Sequence, residues 1–172
     1  MARVSSDLRT AMLTERGPAG ALARVNRDLV ARGQHDIFVT AVALSLHVPT
    51  RTITLANAGH LPPYVRRAEE GELVRIEDAT SCPLGLFDVI DYEQADVRLL
   101  GGDTLVLSTD GVQEATSERG EQFGFGRVET ALAHGSSSPQ DIASRLLGAL
   151  RQHVGAAPQY DDLTLLLCGA KG

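Results

Sequence analysis

The sequence predicts an α+β fold with antiparallel sheets, and three observations carry that expectation. Helical apolar periodicity opens the chain, short β-type segments fill its middle, and two more helical patterns precede a last apolar strand. Strands and helices are segregated along the chain, whereas a parallel βαβ sheet would make them alternate. A length of 172 residues suits one domain with a real core. With 43% apolar and 22% charged residues, the composition is that of a folding chain.

Val4, Leu8, Ala11 and Met12 fall at helical spacing within Ala2 to Leu13, and Gly17-Pro18 interrupts that pattern. Pro18 then suits the first turn of a second helix, whose Leu22, Val25, Leu29 and Val30 form a stripe that Gly33 ends. Ile37 to Val48 is apolar and β-branched, and Pro49-Thr50-Arg51 separates it from the alternating Thr52 to Leu55, which makes a hairpin. A second hairpin joins Tyr64–Arg66 to Leu73–Ile76 across the Glu69 to Glu72 turn. Tyr92 to Leu100 and Thr104 to Ser108 read as two strands joined across Gly101-Gly102-Asp103. Gln113 to Gly126 is polar and reads as a surface loop, with a flap over a cleft as the alternative. Helices follow at Phe125–Ala133 and at Asp141–Val154, the latter after Ser138-Pro139, and Leu163–Leu167 closes the chain as a strand.

Composition also excludes function classes. A net charge of -6 offers no basic footprint for nucleic acid or an anionic membrane. No stretch has the length of a membrane span and the N-terminus has no signal-peptide core, so a cytoplasmic location is expected. Cys82 and Cys168 are far apart and in no CxxC spacing, which argues against zinc and a disulfide framework and for reduced, packed thiols. The GxxxxGK[ST], HExxH and GxSxG signatures are absent.

What remains is acidic. Asp110 stands where the apolar Leu105-Val106-Leu107 gives way to Gly111, and Asp161-Asp162 precedes the last strand. Carboxylates gathered at strand ends repel by roughly 4 kcal/mol per pair at 4 Å and an effective dielectric near 20, unless a cation lies between them. Mg²⁺ or Mn²⁺ accepts such oxygen ligands together with a close glycine carbonyl. On residue chemistry alone, Asp-Gly is first a turn dipeptide and Asp-Asp first a solvated strand start.

Asn57-Ala58-Gly59-His60-Leu61-Pro62-Pro63, Pro83-Leu84-Gly85, Gly102-Asp103-Thr104 with Ser108-Thr109-Asp110-Gly111, and Asp161-Asp162-Leu163-Thr164 stand in this order along the chain. In order and approximate spacing they resemble the SpoIIE-type (sporulation stage II E) branch of the PPM serine/threonine phosphatases. The resemblance implies a PPM-type β-sandwich of two antiparallel sheets flanked by helices, with two Mn²⁺ or Mg²⁺ ions at one end. It implies hydrolysis of phosphoserine or phosphothreonine by a metal-bridged water, with no side-chain nucleophile. Asp110 and Gly111 are then the metal residues of the STDG motif, Asp161 is the ligand aspartate before the last strand, and Asp162 is the reserve one register away. The motif gives His60 no firm role, so it stands as a further ligand candidate beside the ordinary reading of a hydrogen-bonded loop histidine. The implied partner is a phosphorylated regulatory protein of the anti-sigma-factor antagonist type.

The sequence departs from the family pattern at its start, where a GGD-containing strand and a DVxGHG motif are missing. Residues 1–172 therefore read as about the C-terminal two-thirds of a single, N-terminally truncated domain. Asp110 and Asp161 alone supply few ligands, so weak metal binding and low activity of the chain by itself are expected. The alternative function is a pseudophosphatase or fragment that acts as a protein-binding module. A sheet edge left uncovered favours pairing with another chain, hence an expected homodimer or aggregation tendency.

Overall fold

Val4 and Leu8 lie on one face of α1 (Ala2–Thr14), and the Pro18-led α2 (Gly17–Ala31) buries Ala21, Leu22, Val25 and Leu29 on its own. The computed structural model describes residues 2–33, 38–69 and 71–171, so Ile37 of the expected first strand lies outside the described residues. The strands are β1 (Ala41–His47), β2 (Thr52–Ala58), β3 (Tyr64–Arg66), β4 (Leu73–Arg75), β5 (Thr80–Ser81), β6 (Ala95–Arg98), β7 (Thr104–Ser108) and β8 (Leu165–Gly169). Three more helices are α3 (Gly111–Glu114), α4 (Gly124–Ala133) and α5 (Pro139–Val154). The chain divides into two compact units, one of residues 1–62 and 77–98, the other of residues 63–76 and 99–172.

The first unit is built on β2. One edge of this strand carries β1, antiparallel from Ala41 opposite Ala58 to His47 opposite Thr52. Its other edge carries β6 along Thr52–Leu55, antiparallel, and β5 at Asn57 and Ala58, parallel. Leu22, Val25 and Leu29 of α2 pack with Ala43, Ala56, Ala58, Leu84 and Tyr92 into one core. Each such leucine or valine contributes about 1.5–3 kcal/mol by leaving water. At the end of β2, Gly59 has φ +67°, and a Cβ there would lie 2.6 Å from Pro83 Cγ, so the Asn57–Pro63 loop needs a glycine at this point.

The second unit is an antiparallel sheet in the order β4-β3-β7-β8. Val106 pairs with Tyr64 on one side and Leu167 on the other. Val128 and Leu132 of α4 and Ile142, Leu146 and Leu150 of α5 pack with Val106, Val112 and Phe123. Ser138 caps α5 by accepting a hydrogen bond from the Asp141 N–H, ahead of Pro139 at the first turn.

Several expectations are corrected. The two strands expected on either side of Gly101-Gly102-Asp103 are present, though the first is shorter, at Ala95–Arg98, and they do not pair with each other: β6 pairs with β2 while β7 pairs with β3 and β8. The reason lies in Asp103, which is 2% exposed: its carboxylate accepts hydrogen bonds from the Leu100 and Ala68 N–H groups and the Arg67 guanidinium, while its backbone pairs with Ala170. These bonds turn the chain at Leu100 instead of continuing a ladder, and Thr54 holds Asp96 on β6 through a 2.6 Å hydrogen bond. The pairing of β2 with the two-residue β5 is parallel, so the sheets are not purely antiparallel. Residues 113–126 are not an open loop, since α3 ends within them, a Thr116–Gln122 bridge closes a turn, and α4 begins at Gly124. Cys82 is exposed, not packed, because it follows the short β5 directly before Pro83; Cys168 is half-buried on β8.

Burial pushes the Asp103 carboxyl up, but the hydrogen bonds from Ala68, Arg67 and Leu100 outweigh it and hold the group below the usual carboxylate range. A depressed folded-state pKa contributes stability above the unfolded value of about 3.9 and loses it as pH falls through the folded value. Asp103→Asn is therefore expected to cost roughly 2–4 kcal/mol at pH 7, measured by urea unfolding, with the gap from the parent chain closing as pH falls below the ordinary carboxylate range. A gap independent of pH contradicts this role for the carboxylate.

Candidate metal centre

Two segments far apart in sequence are stitched together by one threonine. Just beyond β7, the Thr109 N–H donates to the Thr164 carbonyl at 3.1 Å, and Thr109 Oγ1 donates to the Asp162 carbonyl at 3.0 Å. In return the Thr164 N–H donates to Thr109 Oγ1 at 2.9 Å. Those bonds occupy Thr164 just ahead of β8, which pairs with β7 only from Leu165 onward, so the last strand begins later than the apolar run at Leu163 suggests. They also carry the Asp161-Asp162 pair to the start of α3.

Asp110 caps α3: its Oδ1 accepts from the Gly111 N–H at 3.1 Å, and its carbonyl accepts from the Glu114 N–H at 3.0 Å. This turn of helix brings Asp110 and Glu114, four residues apart, to one face. Gly111 is buried, and a Cβ there would sit 2.5 Å from the Asp162 carbonyl oxygen, so the absence of a side chain lets the 161–163 segment lie against α3. Asp161 Oδ1 accepts from the Asp162 N–H at 2.7 Å, and the Asp161 carbonyl accepts from Gln159 Nε2 at 2.8 Å.

The result is a cluster of three exposed carboxylates, Asp110, Glu114 and Asp161, each offering an oxygen within 4.8 Å of the others. In water-like surroundings each pair repels by about 1 kcal/mol. A hard divalent cation with oxygen preference removes that repulsion, and Mg²⁺ or Mn²⁺ fits a donor set made only of carboxylate oxygens, with waters completing the octahedron. The residues present thus suit such an ion.

Of the sequence candidates, Asp110 and Asp161 are brought together. Gly111 contributes the close backbone approach. Asp162 offers its carbonyl to Thr109, and its carboxylate is not part of the cluster. His60 belongs to the other unit, where its N–H donates to Asn57 Oδ1 at 2.8 Å, its carbonyl accepts from Asn57 Nδ2 at 2.9 Å, and its Nδ1 lies 3.3 Å from Thr40 Oγ1. These contacts are those of a hydrogen-bonded loop histidine. Glu114 was missed, because Asp110-Gly111 reads as a turn, and only a helix starting there puts position 114 beside 110. The signal available was the i, i+4 spacing of the two acids.

Comparison with known proteins bears on what such a cluster serves. The family model described as stage II sporulation protein E (SpoIIE) matches residues 1–171. The phosphoserine phosphatase RsbU of Bacillus subtilis (strain 168) is 27% identical over 154 residues, which cover 90% of this chain and 45% of RsbU. The phosphoserine phosphatase RsbP of the same organism is 25% identical over 158 residues, covering 90% of this chain and 37% of RsbP. The chain thus spans less than half the length of these curated relatives. Among solved structures, the SiaA-PP2C domain of Pseudomonas aeruginosa superposes with a TM-score of 0.79 at 24% identity, over 95% of this chain and 66% of that one. The PP2C domain of SpoIIE from Bacillus subtilis superposes at 0.76 and 18% identity, over 96% of this chain and 48% of that one. These likenesses show the α+β, PPM-type fold of PP2C phosphatases that the motifs implied. The chain belongs to the stage II sporulation protein E (SpoIIE) family.

Proposed function

We propose that the chain is the metal-binding part of a protein serine/threonine phosphatase domain, spanning residues 1–172, that releases phosphate from phosphoserine or phosphothreonine of a regulatory protein. The observation that carries this reading is the Asp110–Glu114–Asp161 cluster, which lies within the residues that the family model matches. Asp110, Glu114 and Asp161 hold Mn²⁺ or Mg²⁺ by their carboxylate oxygens. When bound, such ions supply Lewis-acid charge neutralisation at the phosphoryl oxygens and an acidified water. Thr109 holds the two ligand segments together, and Gly111 keeps them close. The relatives named phosphoserine phosphatase support phosphoserine as the group acted on, and the motif resemblance suggests a substrate of the anti-sigma-factor antagonist type.

A second reading, a protein-binding module with little turnover, is favoured by one observation. Among the described residues this is the one cluster of three such acids, and two ions sharing it would each have few protein ligands. Phosphate release from a phosphoserine peptide, followed with Mn²⁺, with Mg²⁺ and with a chelator, separates the two. Metal-dependent release abolished by the chelator supports the phosphatase; no release at any metal concentration favours the binding module.

A further inference from the structure

A groove of about 540 Å³ opens beside the acidic cluster, entirely within the second unit. It runs between α3, the last turns of α5 and the 158–163 segment, and Glu114 and Asp161 of the cluster form part of its wall. Leu147 and Val154 of α5 give it an apolar floor, and Tyr160, 81% exposed, stands at its rim. Leu147 is only half-buried and is not part of the core beneath α5, so its surface is turned to the groove without holding the unit together. Arg151 is the one basic residue along the groove, is exposed, and forms no ion pair among the described residues.

We propose that this groove docks the stretch of the phosphoprotein next to the phosphorylated serine, and selects a stretch that carries a large apolar residue and an acidic one. The inference rests on the phosphatase reading above. Two features of the groove fix the occupant. The groove is continuous with the carboxylate cluster, so a chain that presents a phosphoserine there continues along α5. Along α5, away from the Glu114 and Asp161 carboxylates that the cluster commits to a cation, the exposed Arg151 guanidinium offers a planar, two-pronged donor set to one acidic side chain of the peptide. An apolar side chain on the Leu147–Val154 floor supplies the rest of the recognition, and the volume is that of a site for a short ligand stretch. Arg151, Leu147 and Tyr160 are thus specificity-determining residues that leave the carboxylates to the metal.

Two phosphoserine heptapeptides test this, one with leucine and glutamate flanking the phosphoserine and one with glycines in their place. The parent chain with Mn²⁺ is expected to prefer the first by about tenfold in kcat/KM, mostly through KM. Arg151→Glu and Leu147→Gln are each expected to bring that ratio near one. Equal use of both peptides by the parent chain overturns the proposal, as does a loss of rate in the variants that strikes both peptides alike. If neither peptide is hydrolysed, the phosphatase reading fails separately, and fluorescein-labelled copies of both peptides decide the groove by anisotropy. Tighter binding of the leucine–glutamate peptide that Arg151→Glu removes sustains the docking site, and equal binding of the two removes it.

Discussion

Replacing Asp110 with asparagine is expected to abolish metal-dependent phosphate release, by roughly 10²–10³-fold or more, while the chain stays folded. The amide keeps the shape of the side chain and one oxygen, so the Gly111 N–H can still find its acceptor and α3 its cap. What it removes is the negative charge that makes the three oxygens within 4.8 Å a cation site. Asp161→Asn and Glu114→Gln are expected to act in the same direction. The Glu114 result carries most information, because only the geometry of α3 nominates it. Steady-state phosphate release against Mn²⁺ concentration, with thermal melting as a check of folding, reads the effect. A Glu114→Gln chain with undiminished activity removes that residue from the centre.

Gly111→Ala is the second large effect, and it acts through shape rather than charge. The new methyl would lie 2.5 Å from the Asp162 carbonyl oxygen and 3.1 Å from its carbonyl carbon. Backbone cannot swing aside as a flexible side chain can, so the 161–163 segment must move away from α3. That movement strains the Thr109 bonds to Asp162 and Thr164 and draws Asp161 from Asp110 and Glu114. A cost of about 1–3 kcal/mol in stability is expected from overpacking, with a loss of Mn²⁺ affinity of about 10–100-fold from the displaced ligand. Urea unfolding and metal titration measure the two separately. Unchanged metal affinity in a destabilised chain shows that the contact serves packing alone.

The elements most legible in the sequence were those whose local pattern and tertiary role agree. The Leu22, Val25, Leu29 stripe became a buried helix face, and the alternating Thr52 to Leu55 became the middle of a sheet. The two strands joined across Gly101-Gly102-Asp103 were legible, but their partners were not, because a Gly-Gly turn looks local whereas Asp103 binds Ala68 and Arg67, more than thirty residues away. The short α3 was invisible for a related reason, since the four residues Gly111–Glu114 carry no periodicity. The same gap hid Glu114, which becomes a neighbour of Asp110 only through that one turn. Asp161 could be chosen over Asp162 only on the motif, and the Thr109 bond to the Asp162 carbonyl supplies the physical reason that Asp161 joins the cluster. The groove along α5 had no sequence signal at all, because Leu147, Arg151 and Tyr160 meet only after α5 and the 158–163 segment are in place.

The most direct measurement is a calorimetric titration of the 172-residue chain with Mn²⁺, repeated on Asp110→Asn and Asp161→Asn. Saturable binding by the parent chain, weakened strongly in both variants, is the result expected of a metal centre built from these carboxylates. Absence of binding by the folded parent chain, or binding that both substitutions leave intact, contradicts it.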